Sequence, residues 1–280
     1  MRKLLLVMIA VLALASPALA APFIDVPAGF INFDGNGSFD TVPPGSFDPT
    51  TGIPNAQAIN SELYGVGTIS GAALMSDLGS PVWQASDLGA SFEMTFSFWD
   101  AVVTSSALTP IGGGKYVLSA DYSDVAQLVL VADTSKDFTA ASGPGAFNLV
   151  TGYYPTAYEL GADTDEDVYL VLTLSGNSSA IIWDANVAAA AGNPIAGFLG
   201  GSFSSTAVEI VGGYGASHFI DYLGPDGQAD AFVLTFTLPP AWQFGADIDI
   251  QLHAVPEPAA LISLCAGLVL LGGYRLRRKA

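Results

Sequence analysis

Ser91-Phe92-Glu93-Met94-Thr95-Phe96-Ser97-Phe98 reads as a β-strand. Phe92, Met94, Phe96 and Phe98 point one way; Ser91, Glu93, Thr95 and Ser97 point the other. Such period-two alternation puts one face of a sheet in a core and the other toward water or a second layer. The pattern recurs. Ile248, Ile250 and Leu252 alternate with Asp247, Asp249, Gln251 and His253. Val168, Leu170, Leu172 and Leu174 alternate with Tyr169, Val171 and Thr173, and Phe232, Leu234, Phe236 and Leu238 form a fourth set. Residues 115–120, 127–131 and 179–183 are shorter strand candidates.

Between these runs lie turn formers: Gly112-Gly113-Gly114, Ser142-Gly143-Pro144-Gly145, Gly176-Asn177, Gly212-Gly213 and Gly224-Pro225-Asp226-Gly227. Many strands parted by such turns predict an all-β fold, a single antiparallel β-sandwich of jelly-roll-like form. A short helix is expected over 185–191, ending at Gly192-Asn193-Pro194, and a flexible Pro-rich loop over 43–54. No repeat of fixed period is present, which argues against a solenoid or propeller.

The two ends differ from this domain. Met1-Arg2-Lys3 precedes an apolar run from Leu4 to Ala15, then Ser16-Pro17-Ala18-Leu19-Ala20. A basic start, a short apolar core and the small pair Ala18 and Ala20 predict a secretory signal over 1–20, cleaved to leave Ala21 first. At the other end Val255-Pro256-Glu257-Pro258 is followed by an uncharged stretch over 259–274, then Arg275, Arg277, Arg278 and Lys279. The uncharged stretch has 16 residues, short for a spanning helix. Snorkelling side chains and local thinning of the bilayer accommodate such a mismatch. The basic cluster predicts a cytoplasmic C-terminus, which leaves residues before Pro256 outside. Neither Pro donates a backbone N–H and both disfavour helix before them, so the motif predicts an extended, accessible segment above the membrane.

This order of parts, over roughly 254–280, resembles the PEP-CTERM sorting signal of Gram-negative bacteria. The same tail is also known as the ice-binding protein C-terminal domain, a label for the tail and not for an activity. The resemblance implies processing by exosortase, a membrane-embedded cysteine transpeptidase, after signal peptidase has acted at the N-terminus. It also implies association with exopolysaccharide and biofilm. The expected course is an inner-membrane-anchored precursor that ends at the cell surface or in the extracellular matrix.

Removing both ends leaves residues 21–254 as the ectodomain. Of 8 basic residues, Lys115 and Lys136 lie there, against 25 of the 26 acidic ones, for a charge near −23 (2 minus 25). Such a field excludes nucleic acid, which is bound through displaced counterions, and disfavours anionic lipid. Hydrophobic residues make up 51% of the chain, which argues against disorder. The single cysteine, Cys265, falls in the tail, so the ectodomain has no disulfide.

Calcium is the one cofactor the acidic runs suggest. Asp163, Asp165 and Asp167, in Asp163-Thr164-Asp165-Glu166-Asp167, resemble the first half of an oxygen-ligand loop, as does Asp34-Gly35-Asn36-Gly37-Ser38 with Asp40. Neither completes an EF-hand: Val168 and Phe39 stand where Gly is required, and Leu174 and Gly45 where the bidentate Glu belongs. A solvated turn before a strand is the alternative reading for both, and Asp226-Gly227-Gln228-Ala229-Asp230 is a weaker instance.

Catalysis finds little support. His218 and His253 have no metal-ligand spacing, and no nucleophile elbow or phosphate loop is present. A glycosidase needs only two carboxylates, but nothing selects a pair. Tyr153, Tyr154, Trp83, Trp99, Trp183 and Trp242 offer rings for a sugar-stacking platform or for a core. The expected function is a non-enzymatic matrix or adhesion protein. The alternative is a carbohydrate-binding module or polysaccharide-directed hydrolase.

Overall fold

The computed structural model describes residues 28–42, 48, 50–57, 59–84, 93–133, 137–140, 143–154, 166–192, 194–220, 231–237 and 244–255. Among them are thirteen strands: β1 (Gly29–Val42), β2 (Glu62–Leu74), β3 (Asp77–Gln84), β4 (Glu93–Gly112), β5 (Lys115–Tyr122), β6 (Ala126–Asp133), β7 (Glu166–Ser175), β8 (Ser178–Asp184), β9 (Phe198–Ser205), β10 (Ala207–Gly212), β11 (Phe219–Ile220), β12 (Ala231–Thr237) and β13 (Phe244–Ala254). One α-helix, α1 (Ala185–Ala191), follows β8. No helix among the described residues is long and apolar enough to cross a membrane. The fold is all-β and antiparallel, as the alternation predicts, with every strand in one continuous sheet.

That sheet closes on itself. Hydrogen-bonded neighbours run from β4 through β5, β8, β9, β12, β13, β1 and β2, and β2 pairs again with β4. Closure is possible because β4 is 20 residues long and uses its halves differently. Glu93–Trp99 pairs with β6 and Met94–Val102 with β2, whereas Val103–Gly112 pairs with β5. β6, β7 and β10 continue outward from β4.

The interior is filled by the predicted apolar faces. Met94, Phe96, Phe98, Phe232, Leu234, Ile248, Ile250 and Leu252 are all fully buried. Phe98 reaches across to Phe203 of β9 (5.4 Å between ring centroids) and Phe232 of β12 (5.5 Å). Such aromatic pairs add to burial about 0.5–1.5 kcal/mol each.

β1, β2 and β9 carry no continuous alternation in the sequence because glycine interrupts them. The packing supplies the reason. Gly65 stands opposite both Phe39 and Phe98, and a Cβ there would enter the Phe39 ring. Gly37 and Gly67 stand opposite each other, and a Cβ on either would meet the Phe96 ring. Large rings therefore lie over glycines on neighbouring strands, an arrangement that compensates a strand for the missing side chain.

Two bulges change which face a side chain takes. Trp99 and Asp100 of β4 stand opposite Tyr64 alone, and Asp100 has φ 62°. The extra residue shifts the parity, so Ala101 and Val103 point inward after Phe98. On β7, Leu130 faces Leu170 while Val131 faces Val168, which leaves Tyr169 as the additional residue. Val168 is thereby turned outward, away from Leu170, Leu172 and Leu174, and Tyr169 is buried inside. The expected Val168–Leu174 face is corrected at its first residue.

The outer face of β4 over Glu93–Trp99, and of most of β6, is also covered. Thr95 and Ser97 are buried beneath a second apolar cluster: Tyr64, Val66, Trp99, Val129, Val131, Phe147 and Tyr154. Phe147 and Tyr154 come from the connection between β6 and β7.

The helix forms where expected. The Asp184 carboxylate accepts hydrogen bonds from the main-chain N–H groups of Asn186 and Val187, and Gly192 ends α1 in the left-handed region. Of the Pro-rich loop expected over 43–54, residues 48 and 50–54 are described, and hydrogen bonds join it and the residues that follow to the sheet. Trp183 Nε1 donates to the Gly52 carbonyl (2.9 Å), and Ser106 Oγ to the Gln57 carbonyl (2.6 Å).

Candidate functional site

The described carboxylates that converge are Glu93, Asp133 and Asp137. Glu93 opens β4, Asp133 closes β6, and the register sets them directly opposite each other. Asp137 follows four residues later. One carboxylate oxygen from each lies within 4.8 Å of the other two. Glu93 and Asp133 are buried; Asp137 is exposed.

Glu93 anchors the chain after β6. Its Oε1 accepts hydrogen bonds from the main-chain N–H groups of Asp137 (2.9 Å) and Phe138 (2.6 Å). Burial pushes the Glu93 carboxyl above its ordinary value; the two N–H donors oppose this, and the negative Asp133 and Asp137 reinforce it. Chemically, the cluster offers three hard oxygen atoms. Calcium takes six to eight, so carbonyls or waters would have to complete a shell.

The acidic run singled out in the sequence reaches this place from another direction. Asp163 and Asp165 lie outside the described residues. Glu166 and Asp167 enter β7, where Glu166 stands opposite Asp133 and Asp167 opposite Ala132. Sequence reading finds the run but not Glu93, Asp133 and Asp137, which are 40 and 4 residues apart along the chain. Their convergence needs the β4–β6 register.

The other acidic run is not a loop. Asp34, Asn36, Ser38 and Asp40 lie within β1, the first three paired with both β13 and β2 and Asp40 with β2. Alternate residues of an extended strand stand about 6.8 Å apart and cannot wrap one ion. Asp34 instead faces Asp249 across β1–β13. Hydrogen bonds moderate this like-charge pair: Asn32 Nδ2 donates to Asp249 Oδ1 (2.7 Å), and Ser70 Oγ to Asp34 Oδ2 (3.2 Å). The outward row through these strands is short-chained and, Ala180 apart, polar: Ser119, Ala180, Ser202, Thr235, Asp247 and Asn36 are successive cross-strand neighbours.

The aromatic candidates do not form a platform among the described residues. Tyr154, Trp83 and Trp99 are buried, and Trp183 is half-buried with its indole N–H bonded to Gly52. Trp242 lies outside the described residues. His253 is half-buried, its ring 5.6 Å from that of Phe30 rather than out in solvent.

Val255 is the last described residue, and its N–H donates to the His218 carbonyl (2.8 Å). The sorting residues Pro256, Glu257 and Pro258, the stretch 259–274, the basic cluster Arg275, Arg277, Arg278 and Lys279, and the signal positions Ala18, Ala20 and Ala21 lie outside the described residues.

No family model matches the chain, and no match is found among curated proteins or solved structures.

Proposed function

We propose that the chain is an exported protein of the cell surface or extracellular matrix, sorted by its Pro256-Glu257-Pro258 tail and displayed within exopolysaccharide or biofilm. The observation that carries this reading is the order of parts after β13: the Pro-Glu-Pro motif, an uncharged stretch and a basic cluster follow the last strand in succession. Signal peptidase and exosortase are the processing enzymes on this reading, and the membrane holds the precursor through residues 259–274. We read the domain it delivers as jelly-roll-like and sandwich-shaped, its two halves belonging to the one sheet closed through β4. Its outer face of short polar side chains with Asp34, Asp247 and Asp249 supports a hydrated, non-catalytic role in a polysaccharide matrix.

The test changes Pro256, Glu257 and Pro258 to alanine in the full chain, expressed in a bacterium that carries exosortase. Loss of processing and retention in the inner membrane are expected. An unchanged mature mass and an unchanged location would refute the sorting role. A pull-down with the exopolysaccharide of the same bacterium tests the matrix role; failure of the domain to associate would count against it.

A further inference from the structure

We propose that residues 50–57 form a detachable strap that opens and closes over β4, β5 and β8 without disturbing the sheet. The strap lies between β1 and β2, whose pairing is complete up to Thr41–Leu63 and Val42–Glu62. The two ends of the connection are therefore held together by the sheet itself, and lifting the strap breaks no pair between those strands.

Three polar attachments come from three neighbouring strands. Ser106 Oγ of β4 donates to the Gln57 carbonyl (2.6 Å), Tyr122 OH of β5 to Gln57 Oε1 (3.1 Å), and Trp183 Nε1 of β8 to the Gly52 carbonyl (2.9 Å). Tyr122 OH also lies 2.9 Å from Ser179 Oγ, so it keeps a partner when Gln57 leaves. Within the strap only Gly52 and Pro54 are buried; Thr50, Thr51, Asn55 and Ala56 are exposed. A segment with few buried apolar groups and polar attachments is drawn from the low end of local stability.

Gly52 is the seating point. It has φ 70°, and a Cβ there would strike the Ala185 carbonyl oxygen and the Ala189 nitrogen of α1. Closing requires glycine at this position, both for its backbone angle and for its approach to the helix. Opening uncovers two hydroxyls and an indole N–H on adjacent strands. It also opens one end of the inner core, where the Tyr122 ring packs at 5.2 Å from that of Phe203.

The experiment is native-state hydrogen exchange on the full chain, comparing the Gly52 amide and the Trp183 indole N–H with the Val66 amide inside β2. Gly52 and Trp183 are expected to exchange at least about tenfold faster than Val66, through an opening that Val66 does not share. Gly52→Ala is expected to raise exchange at Trp183 a further tenfold or so while Val66 stays unchanged. Gln57→Ala removes the Tyr122 contact without adding bulk, and is expected to act in the same direction if Gly52→Ala fails to fold. If Gly52, Trp183 and Val66 exchange together through one opening in the wild-type protein, the strap is an integral part of the fold and the proposal is wrong.

Discussion

The main-chain N–H of Asp100 donates to the Glu62 carboxylate at 2.9 Å, and this bond holds the bulge through which β4 changes faces. Ser123 completes the clamp: its Oγ donates to the Asp100 carbonyl (2.7 Å) and accepts from the Val102 N–H (3.2 Å). Beyond the bulge Ala101 and Val102 still pair with β2 before Val103 takes up β5, so the change of face along β4 passes through one residue with a positive φ. Asp100→Gly should be neutral or stabilising by up to about 1 kcal/mol, because glycine adopts this angle without strain. Asp100→Val should cost about 1–3 kcal/mol. Equilibrium urea denaturation measures both.

Burial raises the carboxyl groups of Asp40, Glu62, Glu93 and Asp100 above their ordinary values of 3.8 and 4.5. The folded state therefore holds these protons more tightly than the unfolded chain. Their contribution is fully present below the ordinary values and is lost as pH rises through the raised ones. The melting temperature should rise as the pH is lowered from neutral toward the ordinary carboxylate values, the reverse of ordinary acid denaturation. Asp48 opposes this at lower pH, since the Thr50 N–H holds its carboxyl below the usual value. Scanning calorimetry across this range is the measurement, and a melting temperature that falls throughout would contradict the assignment.

Asp137→Asn should stabilise the protein at neutral pH by removing one of three crowded charges, while leaving the main-chain N–H that bonds Glu93 in place. The gain should vanish when the pH is low enough to neutralise the cluster. Thermal melts in chelator measure this effect. If added calcium raises the wild-type melting temperature and Asp137→Asn abolishes that rise, the carboxylates bind the ion as well as repel one another.

Gly152 has φ 70°, and a Cβ there would enter the Trp99 ring. Gly152→Ala should therefore unseat the outer cover, at a cost of about 1–3 kcal/mol. Hydrogen exchange should show protection lost over 143–154 but retained in β12 and β13. The inner core lies on the other side of the sheet.

Asp34→Asn removes one member of the Asp34–Asp249 cross-strand pair, and a gain of about 0.2–1 kcal/mol is expected. Added salt should yield less stabilisation in the variant than in the wild-type protein, because there is less repulsion to screen. Denaturation curves at low and high salt separate the two.

Legibility in the sequence followed the strength of the alternation. β4, β12 and β13 stand out because Phe, Leu and Ile occupy every second place, and the strand Lys115–Tyr122 extends its expected range by only two residues. β1, β2 and β9 do not stand out. The glycines of β1 and β2 resemble turn signals until Phe39 and Phe96 are seen lying over Gly37, Gly65 and Gly67. The acidic residues show the same divide. A run such as 163–167 is visible as letters, whereas Glu93 and Asp133 become neighbours only through pairing.

The sequence by itself determined the all-β class, the acidity of the domain, the short capped helix and the expectation of an exported chain with a sorting tail. These depend on side-chain period, charge and local backbone preference, all of which are properties of neighbours along the chain. The tertiary structure decided the rest. It closed the sheet through β4, turned Val168 outward and Tyr169 inward, buried Thr95 and Ser97 under a second cluster, and brought three carboxylates together. Each of these depends on register, and a bulge of one residue reverses the facing of every side chain beyond it.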